Sequence, residues 1–369
     1  MNRSMWGALC IAVLGACSDK KVEPPPAPAP DLAPARAVSD GTLRLLVWEG
    51  YADPAVIKSF EGANHIKVEA KYMTSSDDLL ARLRAKDGPP IDVISPSSDV
   101  AATIAVTGLA IPLDLSKIPS YAIISPQLTA LRVDEYKGKV YGAPFLWGAN
   151  LLLYDTTVFP KAPDSWNVLA DPKYKGKVAL WDDLSSIYMG AELLGFDKDD
   201  KGYIYNLNDD KLAQVKARLL TIKPNLKGTW QKGADLTKMF QDHQVVAAMG
   251  WPLTAKQLRI AKFPIGETIP KEGTTGWVDH LMITSVSPNV DLAHKLIEYL
   301  LQAKTQKALI EVTGYLPANP QAVALMSEEE KTNLHMGYVD AYYKVINFWE
   351  DVPRRDKYVE VWKAVQAAH

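Results

Sequence analysis

The chain has 369 residues, of which 47% are hydrophobic, and it is almost balanced in charge, with 41 Lys and Arg against 43 Asp and Glu. That size and apolar content suffice for two lobes, each with its own core. No basic stripe points to nucleic acid, and no apolar stretch after residue 17 is long enough to span a bilayer.

The first 16 residues read as a secretory signal, with Arg3 in a positive leading region and a mostly apolar run from Met5 to Ala16. The run ends in Leu14-Gly15-Ala16-Cys17, similar to the bacterial lipobox, in which cleavage precedes a cysteine that becomes lipidated. Cys10 then leaves with the signal and Cys17 carries lipid, so the expected mature chain has no thiol for disulfides, catalysis or metal. Residues 17–40 include Pro24-Pro25-Pro26-Ala27-Pro28-Ala29-Pro30, a composition that favours extended polyproline conformations and reads as a semi-rigid tether.

The body opens with alternating strand and helix signals. Leu43 to Trp48 reads as a strand, and Asp53-Pro54 starts a helix with Val56, Ile57 and Phe60 on its apolar stripe. Ile66 to Ala70 is the second strand. Ser76 is expected to cap a helix carrying Leu79, Leu80 and Leu83, and Ile91 to Ile94 precedes a helix over about Ser98 to Thr107. A second unit from about Gly148 has strand signals at Leu151 to Tyr154, Val178 to Trp181 and Val245 to Met249, with helices at Tyr188 to Leu194 and Asp210 to Ile222. After Asp291 the pattern is helical, at Leu292 to Gln302, Gln306 to Val312, Tyr338 to Asn347 and Asp356 to Gln366. The alternation predicts an α/β fold of mainly parallel sheets covered by helices, with ligands at the loops that follow strands.

Motifs for phosphate binding, a nucleophile elbow or a zinc protease are absent, and the six histidines have no ligand spacing. His280 reads as structural. Asp182-Asp183 could suggest glycosidase carboxylates, but adjacent acids ordinarily share a loop, so neither a catalytic residue nor a metal or cofactor is expected. Aromatic residues instead recur at strand-end loops: Trp48, Tyr51, Trp251, Trp277, Tyr315 and Trp349. Trp277 and Asp279 lie two apart, hence on one face of a strand, where an indole and a carboxylate suit an organic cation. The residues alone leave a core tryptophan beside a surface acid as an equal alternative.

Several segments together resemble the spermidine/putrescine substrate-binding proteins of bacterial ABC importers. They include Trp48-Glu49-Gly50-Tyr51-Ala52-Asp53-Pro54, Asp92-Val93-Ile94-Ser95-Pro96-Ser97, the stretch from Asp171 to Leu180, Ala248-Met249-Gly250-Trp251 and Trp277-Val278-Asp279. The resemblance runs from Leu43 to about Ala367 and implies a two-lobed periplasmic-binding-protein-like clamp of type II. It places lobe 1 at residues 41–145 plus 278–321 and lobe 2 at 146–277 plus 322–369. It further implies a monomer in the periplasm, held to a membrane by lipid on Cys17, that delivers a polyamine to a permease and ATPase complex.

By the same resemblance Trp48, Tyr51, Trp251, Trp277 and Tyr315 form an aromatic box, Asp183 and Asp279 hold ammonium groups, and Ser97 is a polar contact. Three positions depart from the family pattern. Asp99 replaces an aromatic, Ser186 replaces a glutamate, and Glu350, beside Trp349, replaces a glutamine. Asp99 and Glu350 either face the ligand or pair with an arginine, Arg354 and Arg355 being near Glu350 in sequence. A sensory or scaffold lipoprotein, a clamp for an amino-acid-like zwitterion and, remotely, a carbohydrate hydrolase are the alternative functions.

Overall fold

A computed structural model describes residues 41–85, 88–196, 203–333 and 345–368. The expected signal, Cys17 and the tether lie outside these residues, as does most of the helix expected over Tyr338 to Asn347.

Fifteen strands, numbered in chain order, are described. The first four are β1 (Thr42–Val47), β2 (Lys67–Tyr72), β3 (Val93–Ile94) and β4 (Ala110–Ile111). They are followed by β5 (Glu135–Tyr136), β6 (Lys139–Val140), β7 (Gly142–Ala149), β8 (Leu151–Asp155), β9 (Val178–Trp181) and β10 (Leu226–Trp230). The last are β11 (Ala247–Gly250), β12 (Ile265–Thr268), β13 (Thr274–Thr284), β14 (Leu316–Pro317) and β15 (Ile346–Phe348).

One sheet runs β14-β7-β13-β3-β1-β2, with β4 and β15 also paired to β13, and a second runs β10-β9-β11-β8-β12. The strands joined by helices are parallel, as the β-α alternation requires: β1 with β2 and β3, and β9 with β10 and β11. The sheets as wholes are mixed rather than mainly parallel. β13 is antiparallel to β3 and β7, and β8 is antiparallel to β11 and β12. β8 and β13 each enter a sheet straight from a strand of the other sheet, β7 and β12 respectively, with no covering helix before them, so no β-α-β crossover dictates a parallel direction.

The two strands at the centre of this arrangement, β7 and β13, are buried along their whole lengths. The chain passes from the first sheet to the second at Asn150, whose amide donates to the Thr275 carbonyl at 2.9 Å. It returns along residues 269–273, between β12 and β13. The lobe boundaries expected near 145 and 277 therefore fall inside β7 and β13.

Local signals explain most of the helices. Asp53 caps the helix Pro54–Asn64 by accepting from the Ala55 amide at 2.8 Å, and Val56, Ile57 and Phe60 are its buried face. In the helix Ser76–Ala85 the cap is one residue earlier than expected. Ser75 Oγ accepts from the Asp78 amide at 3.0 Å, which leaves the Ser76 hydroxyl to donate to Asp99 at 2.8 Å. The end of the expected helix over Tyr338 to Asn347 is the strand β15, because Ile346, Asn347 and Phe348 pair with Thr274–Gly276 of β13. The final helix, Arg355–Ala367, packs on the helix Asp209–Ile222 beside the second sheet.

Gly276 is where β7, β13 and β15 crowd together. A Cβ built there would sit 2.4 Å from the Gly148 carbonyl oxygen and 2.6 Å from Ile346 Cγ2. Gly276→Ala is therefore expected to lower stability by about 1–3 kcal/mol, the usual range for overpacking. Urea unfolding measures it, and an unchanged midpoint would contradict this packing.

Candidate functional site

A nearly closed cavity of about 10 Å³ lies where strands of both sheets end, as expected for an open α/β fold. Trp48 follows β1, Ser97 follows β3, Trp251 follows β11 and Trp349 follows β15, while Trp181 closes β9 and Tyr315 precedes β14. Trp277 and Asp279, both on β13, complete the lining. Gly148 of β7 makes room for Trp277, since a Cβ at that position would meet the indole at 2.7 Å.

The rings pack edge to face and stacked. Trp181 lies 4.6 Å from Trp251 in a T-shape and stacks on Trp349 at 6.0 Å, while Trp277 meets Tyr315 at 5.3 Å and Trp349 at 6.1 Å. A methylene chain held between two ring faces needs them about 7 Å apart, twice a carbon–carbon contact distance. The described rings are closer, so a ligand of this kind must part them.

Asp279 is the carboxylate of this wall, and it is buried. Its Oδ1 accepts from the Ser97 hydroxyl at 2.5 Å and its Oδ2 from the Tyr51 hydroxyl, while the Trp48 indole donates to Ser97 Oγ at 3.2 Å. Burial pushes the Asp279 carboxyl up from 3.8 to about 8, against the pull of the Ser97 and Tyr51 hydrogen bonds. Two neutral hydroxyls do not replace the water that the carboxylate has lost.

The expected site residues thus fall into three groups. Trp48, Ser97, Trp251, Trp277, Asp279, Tyr315 and Trp349 line one cavity. Tyr51, Asp183, Ser186 and Asp99 are buried but stand behind that lining. Tyr51 holds Asp279, and the Ser186 hydroxyl donates to the Trp181 carbonyl at 2.7 Å. Asp183 Oδ1 accepts from the Ser185 amide at 2.8 Å, and its Oδ2 is buried without a hydrogen-bond partner. Burial, and then Asp99, push the Asp183 carboxyl up to about 7.

Asp99 does not face the cavity, because an arginine holds it. Arg355 Nη1 donates to Asp99 Oδ2 at 2.9 Å and Arg355 Nε to Asp77 Oδ1 at 2.7 Å. Burial pulls the Arg355 pKa down, but Asp99, Tyr188 and Asp77 outweigh it and hold it well above its ordinary value. Glu350 corrects the expectation in another way. It is exposed, because Trp349 and Glu350 are neighbours in extended chain and only Trp349 turns inward.

Trp181 lines the cavity without having been singled out from sequence. Its signal was available, since it closes a buried strand just as Trp251 follows β11. Trp230 stacks behind it at 5.7 Å and fixes its plane.

Polar contacts also cross between the two sides. Glu49, after β1, accepts from the Gly233 amide at 2.9 Å, at the start of the helix Gly233–Gln241. Lys256 donates to the Ile310 carbonyl at 3.2 Å and to the Glu311 carbonyl, near the end of the helix Ala303–Thr313. Each pairing sets a charge against the complementary end of a helix.

The model of a family described as bacterial extracellular solute-binding protein matches residues 55–337. The chain is 29% identical over 321 residues to spermidine/putrescine-binding periplasmic protein 1 of Haemophilus influenzae, covering 86% of this chain and 85% of that one. It is 28% identical over 300 residues to the spermidine/putrescine-binding periplasmic protein of Escherichia coli K12, covering 81% and 83%. A solved Listeria monocytogenes protein described as a spermidine/putrescine ABC transporter superposes with a TM-score of 0.78 at 26% identity, over 89% of this chain and 99% of that one. The fold is therefore the α/β clamp of periplasmic binding proteins, built on mixed sheets with flanking helices.

The raised carboxyls give the ligand-free protein a defined pH dependence. Folding holds protons on Asp279 and Asp183 where an unfolded carboxyl, near 3.8, has lost them. This stabilisation is fully present below about pH 4 and is lost as pH rises through about 7 and about 8, at no more than roughly 1.4 kcal/mol per pH unit for each group. Thermal unfolding should therefore show stability falling from about pH 5 to about pH 9, and Asp279→Asn should flatten the upper part of that fall. Stability that rises over this range would contradict the assignment.

Proposed function

The chain belongs to the bacterial extracellular solute-binding protein family, and on that premise we propose that it is the substrate-binding protein of an ABC importer for a polyamine or a related organic cation. The observation that carries this reading is Asp279, a buried carboxylate set in a wall of indoles beside the Tyr315 ring. A cation brought there satisfies the carboxylate and rests on aromatic faces, each contact contributing about 0.5–2 kcal/mol. The relatives named for spermidine and putrescine support this choice of cation.

Binding is reversible and needs no bond to be made or broken. The ligand enters between the two sheets, parts the rings of Trp181, Trp251 and Trp277, and places an ammonium group against Asp279. The aromatic box then sorts ligands by chain length, with Asp183 as the second acid beside it. Glu49 with the Gly233 amide and Lys256 with the Ile310 carbonyl hold the two sides together once they have closed. The closed surface is what a permease would read as the loaded state. Lipid on Cys17 anchors the protein to a membrane of the cell envelope, and residues 17–40 supply the reach.

Calorimetry of the purified protein against putrescine, spermidine, cadaverine, agmatine and choline tests this directly. Absence of both heat and thermal shift with every cation would sink the reading. Trp277→Ala is expected to weaken binding by about 10-fold or more, and Asp279→Asn by on the order of 100-fold, the loss expected for a charge-assisted contact.

Because the Asp279 carboxyl titrates at about 8 in the ligand-free protein, an arriving ammonium group drives it to ionise. Binding at pH 7 should therefore release close to one proton. Titrations in two buffers of different ionisation enthalpy measure that release, and proton uptake would contradict the assigned role.

A further inference from the structure

Where the ends of β9 and β15 meet the cavity, the unpartnered polar atoms of its lining are indole donors, which cannot accept from a second ammonium group. The indole nitrogens of Trp181 and Trp349 are buried without a hydrogen-bond partner, and both residues line the cavity. Behind them, the Ser185 and Tyr188 hydroxyls and Arg355 Nη2 are also buried and unpartnered. The Tyr188 ring lies 6.1 Å from that of Trp349, so these groups adjoin the box. An indole N–H and a guanidinium can only donate, as can an ammonium.

Besides the Ser185 and Tyr188 hydroxyls, which can donate or accept, the side-chain oxygens described in this corner are those of Asp99, Ser186 and Asp183. Asp99 is already engaged on both oxygens, by Arg355 and by Ser76. The Ser186 hydroxyl is turned to the Trp181 carbonyl. Asp183 Oδ2 remains as a single unpartnered carboxylate oxygen, and Asp183 sits where the Arg355 cation acts on it. Two unpartnered indole donors in the lining, with the Asp183 oxygen behind them, match an amide, which offers a carbonyl oxygen and an N–H. A carboxylate fits less well, because Asp77 and Asp99 already set two negative charges against one guanidinium.

We propose that this cleft is specific for a diamine capped at one end by an acyl group. The free ammonium lies on Asp279, the amide carbonyl accepts from Trp181 Nε1 and Trp349 Nε1, and the amide N–H faces Asp183 Oδ2. The proposal rests on the cation-binding reading above and narrows it to one end-group chemistry.

Calorimetric titration of the purified protein with N-acetylputrescine, putrescine, spermidine and 4-aminobutyrate separates the outcomes. N-acetylputrescine is expected to bind about 10-fold or more tightly than putrescine, a difference of about 1.4 kcal/mol. Equal or tighter binding of putrescine or spermidine overturns the capped-end assignment while leaving cation binding intact. Tighter binding of 4-aminobutyrate overturns it in favour of an anionic end group. No heat with any of the four overturns the cation-binding reading itself. Trp349→Phe and Trp181→Phe each keep a ring and remove one N–H, and either should reduce the preference for N-acetylputrescine over putrescine by about 10-fold. A preference unchanged in a folded variant overturns the role given to the indole donors.

Discussion

Asp279 is sealed among indole rings with the hydroxyls of Ser97 and Tyr51 as donors, and an ionised carboxylate in such a place is costly until a cation meets it. Much of the cleft can be understood from that constraint. The neighbouring rings exclude water, which raises the cost of the bare charge and at the same time strengthens its attraction for an ammonium group. Ser97 and Tyr51 fix where the charge points, and Trp48 in turn holds Ser97. Burial holds the carboxyl protonated when it is alone; on the proposed cation reading it ionises as an ammonium group arrives, so binding and proton release become one event.

The backbone that places Asp279 is equally constrained. β13 carries Trp277 and Asp279 through the middle of the first sheet, and its pairing with β7 shifts register between Val278 and His280. Ser97 bridges to Asp279 at that irregularity, which draws the pocket serine to the carboxylate it serves. His280 faces away, toward Asp134 at 3.0 Å and Ser98 at 3.4 Å. Gly148 and Gly276 keep β7 and β13 close enough for the Trp277 ring to lie over the neighbouring backbone.

Much of this was legible in the sequence. The capping aspartate and proline before Ala55 located the first helix, and the short apolar runs located β1, β8, β9 and β11. The i, i+2 spacing of Trp277 and Asp279 placed both side chains toward one cavity, because strand periodicity is local information. What the sequence did not disclose depends on pairing across long separations. β7 reads as Gly-Ala-Pro-Phe-Leu-Trp-Gly-Ala, a glycine- and proline-containing run with no alternation, and only its pairing with β13 makes it a central strand. β15 carried a helical pattern overridden by the edge that β13 offered. Arg355 reaches Asp99 across 256 residues, a partnership that no local reading finds, whereas the adjacent pair Trp349 and Glu350 suggested two inward residues where an extended chain allows one.

The partnership of Arg355 with Asp99 bears on how ligand choice is set in such a clamp. An acid added near a cation site would by itself favour a more highly charged ligand, since a buried carboxylate demands a counter-charge. Here the counter-charge comes from the protein, so Asp99 adds none to the ligand's side of the balance. Arg355 belongs to the helix packed beside the second sheet, while Asp77 and Asp99 belong to helices of the first. The same ion pairs therefore join the two sides and withdraw a carboxylate from ligand binding. Glu49 and Lys256 add contacts across the cleft at helix ends, so closure has protein-only terms that are independent of the bound cation. The ligand proposed above supplies the contacts that this frame lacks: a positive charge for Asp279, and an acceptor for the unpartnered indole donors of Trp181 and Trp349.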